Sequence, residues 1–272
     1  MLEVEAMKKW VVKALKFFLL FFPSGFLFSR KGYCPCCEKR TRFFSKDPWL
    51  RDHLVCLKCS SIPRERALMV ILDKIRPDWR ALRIHESSPG NLSLSLKLQR
   101  ECPGYVGTQY YAHEKPGERI GKWRNENLED QTFDDNAFDI VITQDVFEHI
   151  GAPEKAFQEI HRTLKNDGIH IFTVPLVNKT EPSLPRLEKD SEGRIHQNFE
   201  KEFHGNPIDS KGSLVTMHWG YDIVKFIETK TGDPTRIFTQ YDLDKGICGE
   251  YIDVLVTTKN KKEGDKYESR NI

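Results

Sequence analysis

Two apolar strands on either side of one amphipathic helix constrain this chain more than any other feature. Residues 138–143 (FDIVIT) and residues 169–176 have the apolar character of strands that are buried on both faces. The intervening segment 153–164 repeats apolar residues at helical spacing. Its apolar face consists of Ala156, Phe157, Ile160 and Leu164. A strand, helix, strand order of this kind predicts parallel strands with the helix packed across the sheet.

Weaker patterns continue the alternation on both sides of this unit. On the upstream side we expect a helix at 64–75, a strand at 82–86, a helix at 92–100 and strands at 105–110 and 123–126. On the downstream side we expect a helix at 221–229 and strands at 237–241 and 251–257. The sequence therefore predicts an α/β, doubly wound domain with a mostly parallel sheet over residues 64–260, interrupted by a polar insertion at 177–218.

Five of the seven cysteines are clustered near the start of the chain. Cys34 and Cys37 form one C-x2-C pair, and Cys56 and Cys59 form a second pair after an interval of 18 residues. Two such pairs can close a tetrahedral site of four thiolates, and the spacing lies in the range of structural zinc sites. We therefore predict a zinc-binding module at 31–63, with an iron–sulfur centre or free thiols as the alternatives. Because all four ligands would come from the protein, this site would hold structure and catalyse nothing.

The first 30 residues combine cations with large apolar side chains. The uncharged stretch from Phe17 to Ser29 has only 13 residues, which is too short for a membrane-spanning helix. We expect a helix at 1–30 that either packs on the body of the protein or lies at an anionic membrane surface through residues 7–28. Paired thiols suit a reducing compartment, so a cytoplasmic protein is predicted, with peripheral contact at the inner membrane face under the second alternative. The charged tail 261–272 is expected to be loose.

The charge balance bears on the class of partner. Lysine and arginine together number 42 and aspartate and glutamate 40, which gives a net charge of +2. A protein that holds nucleic acid chiefly through a broad cationic surface carries a larger positive excess. Nucleic acid is therefore not an expected partner.

Residues 127–168 carry a recognisable pattern, in which the apolar strand is followed by 145–149 (DVFEH) and later by 162–168 (RTLKNDG). This pattern resembles class I S-adenosylmethionine-dependent methyltransferases, and the resemblance covers about residues 78–260. The cysteine pairs followed by 60–66 (SSIPRER) resemble a bacterial subgroup with an N-terminal zinc motif. The resemblance implies a Rossmann-like sheet of seven strands that binds S-adenosylmethionine at the carboxyl ends of its first strands.

The resemblance also implies a set of cofactor contacts at strand ends: Glu86, Ser87, Gly90, Gln109, Asn127 and Asp145. The family has a glycine-rich turn after its first strand, where the backbone approaches the methionine part of the cofactor, and here only Gly90 remains of it. Gln109 and Asn127 stand where the family usually has acidic residues for the ribose and the adenine. An amide binds a diol without the charge-assisted strength of a carboxylate. These departures leave open a non-catalytic binding protein with a methyltransferase fold.

The predicted reaction centre follows the strand at 138–143. Asp145, Glu148 and His149 fall at i, i+3 and i+4, so a helical turn there would direct all three to one side. Two carboxylates and an imidazole could bind a divalent cation such as magnesium, an arrangement that resembles the E-x-x-E-H motif of some O-methyltransferases. The alternatives are a general base without metal, either His149 or His204 from the insertion, and a purely structural role. The candidate catalytic residues are therefore Asp145, His149 and His204.

The predicted function is transfer of a methyl group from S-adenosylmethionine to a hydroxyl acceptor, such as a glycan or a lipid-linked sugar in cell-surface glycan synthesis. This acceptor class follows from the family resemblance and from the apolar N-terminus. An RNA methyltransferase is the alternative enzyme. The net charge of +2 argues against it, as does the sequence at 143–146 (TQDV), which replaces the N-P-P-Y signature of base-methylating enzymes.

Overall fold

The computed structural model describes residues 27–90, 93–189, 195–197, 199–205 and 210–260. The predicted N-terminal helix up to residue 26, which includes most of the segment considered for membrane contact, lies outside these residues, and so does the charged tail 261–272. Within the described part of the chain, no helix is long and apolar enough to cross a membrane.

The cysteine module is a small antiparallel sheet. It consists of β1 (Phe28–Cys34), β2 (Lys39–Ser45), the short helix α1 (Leu50–His53) and β3 (Val55–Cys56). The turn between β1 and β2 contains the second cysteine of the first pair, and β3 ends on the first cysteine of the second pair. Since β1 begins at Phe28, the module starts before the predicted boundary at residue 31.

The central sheet begins with β4 (Arg83–Ser87), β5 (Gly104–Gln109), β6 (Arg119–Ile120), β7 (Trp123–Asn125), β8 (Phe138–Gln144) and β9 (Leu164–Thr173). Strand β4 pairs in parallel with β5 and β8, β5 pairs in parallel with β7, and β8 with β9. The two-residue β6 pairs antiparallel with β7. The helices of this part are α2 (Pro63–Ile75), α3 (Ser93–Glu101) and α4 (Pro153–Thr163), with a 3-10 turn at Trp79–Ala81.

The insertion at 177–218 folds into short antiparallel ladders. Its strands are β10 (Leu184–Pro185), β11 (Leu187–Lys189), β12 (Ile195–Gln197), β13 (Phe203–His204), β14 (Ser213–Leu214) and β15 (Met217–His218). The ladders pair β10 with β15, β11 with β12, and β13 with β14. The Thr216 N–H donates to the Glu148 carbonyl at 2.7 Å, so the insertion is attached to the turn that follows β8.

The last described elements are α5 (Ile223–Thr231), β16 (Thr235–Phe238) and β17 (Val254–Thr258). Strand β17 lies antiparallel between β9 and β16. The sheet order is therefore β16-β17-β9-β8-β4-β5-β7-β6. The predicted doubly wound, mostly parallel α/β sheet is confirmed, and the strand beyond the expected seven is the short β6.

Alternate residues of the strands point to opposite faces of the sheet, and each face buries its own hydrophobic cluster. On one face, Ile140 and Ile142 pack with α2, α3 and Phe43 of the cysteine module. On the other face, Val141 packs with α4 and α5. The module therefore shares a hydrophobic core with the sheet. This core is continuous across the predicted domain boundary between residues 63 and 64.

Strand β9 differs from its predicted bounds at 169–176. It begins at Leu164, directly after α4, and contains Gly168. Phe138 pairs with Leu164 and Ile140 pairs with Ile169, so the additional residues of β9 are absorbed by a bulge. The strand ends at Thr173, and the chain then runs along the cavity described below.

Candidate active site

A cavity of about 1240 Å³ opens at the carboxyl ends of β4, β5 and β8. Its sheet wall is formed by Ser88, Gly90, Gln109, Tyr110, Gln144 and Asp145. Its module wall is formed by Trp49, Arg51, Asp52, Arg64 and Glu65. Its third wall, from the turn after β8 and the insertion, includes Glu148, His149, Glu202, His204 and His218. Open α/β sheets bind their ligands at this position.

Three of the predicted cofactor residues line the cavity, namely Gly90, Gln109 and Asp145. The parallel register sets Ser87 of β4 level with Thr108 of β5 and Thr143 of β8, so the three strand ends meet at one edge. Gln109 donates from Nε2 to the Pro89 carbonyl at 3.1 Å. Its Oε1 can therefore accept a hydrogen bond from a ligand hydroxyl.

The other three predicted cofactor residues, Glu86, Ser87 and Asn127, are not part of the cavity wall. Glu86 is 1% exposed and accepts hydrogen bonds from Ser95, Tyr105 and Gln144. Burial raises the pKa of Glu86 to about 7. Because its three donors lie on α3, β5 and β8, Glu86 connects these elements to β4.

Asp145 is held by two arginines of the module wall. Arg51 donates from Nη2 to Asp145 Oδ2 at 2.7 Å, and Arg64 Nε lies 3.0 Å from the same oxygen. Asp145 Oδ1 accepts a hydrogen bond from the Thr173 hydroxyl at 2.9 Å. Burial opposes ionisation, but the Arg64 and Arg51 guanidiniums outweigh it and lower the pKa of Asp145 to about 2. A carboxylate with so low a pKa is a weak base, so Asp145 is poorly suited to take a proton from an acceptor.

Glu148 is a buried carboxylate that receives no hydrogen bond from the described residues. It is 2% exposed, and neither carboxylate oxygen has a hydrogen-bond partner among the described residues. His149 Nε2 lies 3.8 Å from Glu148 Oε1, and His204 Nδ1 lies 3.7 Å from the same oxygen. Because burial of an unbonded carboxylate is unfavourable, such a group marks a place that receives a ligand, a proton or a metal.

Further contacts orient the two histidines beside Glu148. His149 Nδ1–H donates a hydrogen bond to the Leu214 carbonyl at 2.9 Å, so the lone pair of the neutral ring is on Nε2. His204 Nε2 lies 3.2 Å from a carboxylate oxygen of Glu202. The Glu148 carboxylate raises the pKa of His204. His149 therefore directs its Nε2 toward Glu148, and His204 is the more basic of the candidates because its pKa is raised.

The structure separates Asp145 from the other residues of the predicted reaction centre. No helix follows β8, because Asp145 has a φ of +51° and the next residues form a single turn closed by the His149 N–H and the Val146 carbonyl. Asp145 contacts the module wall, whereas Glu148, His149 and His204 bring three candidate ligand atoms within 4.8 Å of one another. This set has two imidazoles and one carboxylate. Magnesium prefers oxygen ligands, so the set suits zinc, manganese or iron better than the magnesium we expected.

The four cysteines of the two C-x2-C pairs converge at one point of the module. The Sγ atoms of Cys34 and Cys59 are 3.6 Å apart, those of Cys37 and Cys56 are 4.0 Å apart, and all four lie within 4.8 Å of one another. Tetrahedral zinc with Zn–S bonds of about 2.3 Å sets its sulfur ligands about 3.8 Å apart. The four thiols therefore fit a structural zinc ion.

No sequence pattern predicted that residues of the module wall would line the cavity. Arg51 lies between the cysteine pairs, where neither its type nor its spacing indicates a role. Glu65 is buried and accepts hydrogen bonds from the Leu94 N–H at 3.1 Å and the Ile62 N–H at 3.0 Å, so it joins the module to the first turn of α3. The signal available for Glu65 and its neighbour Arg64 was their place directly after the second cysteine pair.

Comparison with known proteins identifies a related family. Residues 106–172, from β5 to β9, match a family profile described as a methyltransferase domain. A segment of 73 residues is 40% identical to the glycine/sarcosine/dimethylglycine N-methyltransferase of Actinopolyspora halophila. That match covers 25% of this chain and spans only 13% of the length of the curated relative.

Solved structures are similar at low identity. An S-adenosylmethionine-dependent methyltransferase from Mesorhizobium loti matches with 15% identity and a TM-score of 0.47 over 71% of this chain and 98% of that chain. The 1,6-didemethyltoxoflavin-N1-methyltransferase of Burkholderia thailandensis, solved with its substrate and S-adenosylhomocysteine, matches with 13% identity and a TM-score of 0.45 over 73% of this chain and 79% of that chain. The fold assignment rests on the strand order and on the match to the methyltransferase domain, and not on these distant structures.

Proposed function

We propose that this chain, which has the class I S-adenosylmethionine-dependent methyltransferase fold and carries that family's domain over residues 106–172, transfers a methyl group to a hydroxyl acceptor in its cavity. The observation that carries the proposal is the unbonded Glu148 carboxylate beside His149 and His204. A hydroxyl is a poor nucleophile until its proton is removed, and this cluster is a suitable proton acceptor.

The cofactor would lie along the sheet wall. Gly90 lets the backbone approach a ligand closely because it has no side chain. Gln109 Oε1 would accept a hydrogen bond from the ribose, and Asp145 would face the positive charge of the cofactor. Methyl transfer from a sulfonium requires in-line positioning of the two reactants, so the main task of this wall is to fix the methyl donor.

His149 is the proposed general base, because its Nδ1 proton is held by Leu214 and its Nε2 lone pair lies beside Glu148. Glu148 would stabilise the imidazolium that forms. His204, held by Glu202, is the second candidate. The same cluster fits a divalent transition metal, which would acidify an acceptor hydroxyl, whereas zinc in the four-cysteine site would supply structure only.

A sugar hydroxyl of a cell-surface glycan or lipid-linked precursor is the proposed acceptor, and the support for it is the family resemblance of the sequence. The second candidate is a small amine, because the curated relative is named for N-methylation of glycine, sarcosine and dimethylglycine. A hydroxyl must lose its proton as the methyl group is transferred, and an ammonium must lose its proton before transfer because only the free amine has a lone pair, so both acceptors would use the same cluster.

Calorimetry with S-adenosylhomocysteine tests the cofactor site, and transfer from labelled S-adenosylmethionine to sugars, small amines and RNA tests the acceptor. We expect one cofactor site per chain and transfer to a hydroxyl. His149→Ala should reduce turnover by roughly 10²- to 10⁴-fold with cofactor affinity retained, whereas exposed His53→Ala should change neither. Transfer to amine or RNA would overturn the hydroxyl acceptor. Absence of cofactor binding would favour the non-catalytic alternative.

A further inference from the structure

We infer that Arg64, positioned with Arg51, binds the carboxylate of the amino-acid part of S-adenosylmethionine, so that the cysteine module completes the cofactor site. The inference rests on the proposed function, since it assigns a subsite within the same cavity. It concerns residues that lie outside the methyltransferase sheet, in the module and at the start of α2.

Four charged side chains form a closed ring of alternating charge where the module wall meets the sheet wall. Arg51 lies between two carboxylates, with Nη1 3.1 Å from Asp52 and Nη2 2.7 Å from Asp145. Arg64 contacts the same two carboxylates, through Nη1 to Asp52 and through Nε to Asp145. Such a ring presents both signs of charge to the cavity and can match a zwitterion. The amino-acid part of S-adenosylmethionine carries an ammonium and a carboxylate on one carbon. Asp145 would face the ammonium, and the arginines would face the carboxylate.

The two arginines differ in their capacity to bind a ligand. Arg51 is 6% exposed, and each of its three nitrogens has a protein partner, because Nε also donates to the Tyr251 carbonyl at 3.2 Å. Arg64 keeps 17% of its side chain accessible, and its Nε makes no hydrogen bond within the described residues despite its closeness to Asp145. Arg64 is therefore the binding residue, and Arg51 is a positioning residue that acts through Asp145.

The place of Arg64 along the sheet edge fits this assignment. Gln109 marks the nucleoside side at the end of β5, Gly90 follows β4, and Asp145 follows β8. Neighbouring strands lie about 4.8 Å apart, so a ligand with its nucleoside at β5 extends across β4 to reach β8 with its other end. The family's glycine-rich turn, which approaches the methionine part, is reduced here to Gly90. The arginines supply contacts that this turn lacks.

A pair of ligands tests the inference on the full-length protein. S-adenosylhomocysteine carries the amino-acid part, and 5′-methylthioadenosine lacks it. By calorimetry, Arg64→Ala should weaken binding of S-adenosylhomocysteine by about 10- to 100-fold, the range for a charge-assisted hydrogen bond, and leave methylthioadenosine affinity unchanged. The matched control is Arg30→Ala in the same module, whose exposed pair with Asp244 lies away from the cavity, and it should change neither affinity.

Equal weakening of both ligands, or an unchanged affinity for S-adenosylhomocysteine, would overturn the inference. If Arg64→Ala does not fold, Arg64→Lys replaces it, since it keeps the charge and loses the planar fork, and it should show the same ligand selectivity with a smaller loss. A wild-type protein that binds neither ligand would overturn the proposed function itself. A wild-type protein that binds both ligands equally would overturn the carboxylate subsite alone.

Discussion

The carboxylates at the two ends of the cavity differ in whether they accept hydrogen bonds. At the proposed cofactor end, Glu86 lies outside the cavity wall and accepts three side-chain hydrogen bonds, two of them from the wall residues Ser95 and Gln144, and Asp145 is paired with two arginines. At the acceptor end, Glu148 is similarly buried and receives no hydrogen bond from the described residues. A bonded carboxylate is fixed in place, whereas an unbonded one is available to an incoming group. Under the proposed function, the cofactor end would position the methyl donor and the acceptor end would take up the proton.

The histidines differ in the same way. His85 and His170 lie within the sheet, bonded to the hydroxyls of Thr108 and Thr143, and burial lowers the pKa of each to about 3. They are neutral core residues. The Glu148 carboxylate instead raises the pKa of His204 at the cavity. Environment, and not residue type, separates structural histidines from candidate proton carriers.

The largest expected effect comes from removing the metal that we propose for the cysteine module. Structural zinc contributes about 10–16 kcal/mol to the folding of small zinc modules. Cys56→Ser should therefore abolish zinc binding, unfold residues 31–63 and abolish cofactor binding, because the cofactor end loses Arg51 and Arg64. Elemental analysis, hydrogen exchange and calorimetry measure the three effects.

The control for Cys56→Ser is Cys36→Ser, which removes a buried thiol that is not one of the four converging cysteines. This variant should retain one zinc per chain. A well-folded wild-type protein without metal and with its thiols apart would contradict the proposed zinc site.

Asp145→Asn should destabilise the cofactor end next most strongly. The substitution removes the carboxylate between Arg51 and Arg64. Breaking a fully buried ion pair costs about 3–5 kcal/mol, and because these pairs are partly buried we expect a loss toward the lower end of that range. Urea denaturation measures the loss. The exposed Asp244→Asn is the control and should change stability by less than about 1 kcal/mol. If both substitutions lowered the free energy of unfolding equally, the ion pairs of Asp145 would not stabilise the cofactor end.

Glu86→Gln should change the pH dependence of stability. The pKa of Glu86 is about 7 in the folded protein, above its ordinary value of 4.5, so between these pH values the folded protein holds a proton that the unfolded chain has released. Wild-type stability therefore falls as pH rises through this window. The stability of Glu86→Gln relative to wild type should increase by about 3 kcal/mol from pH 4.5 to 8, as urea denaturation would measure. A pH-independent difference would show that Glu86 is ionised throughout.

The sequence was informative where structure is local and uninformative where it is not. The bounds of α4 and β8 followed from apolar periodicity, and the convergence of the four cysteines followed from two short spacings. The pairing of Arg51 with Asp145 joins residues 94 positions apart and has no sequence pattern. Asp145 has a left-handed backbone conformation, which prevents a helical turn and separates its side chain from that of Glu148. The neighbouring sequence does not indicate this conformation, so the sequence alone could not predict the separation.

Glu148 lacks hydrogen-bond partners in the described part of the chain at a cost to the stability of the folded protein, and we propose that this leaves it available for the reaction. Glu148→Gln, measured by urea denaturation at pH 8.5 beside its affinity for S-adenosylhomocysteine, tests it. We expect the free energy of unfolding to increase by about 1–3 kcal/mol, because a neutral amide is less unfavourable to bury without partners than a carboxylate, with cofactor affinity unchanged and methyl transfer lost. A variant that is less stable than wild type, or that still transfers methyl groups at the wild-type rate, would contradict the account.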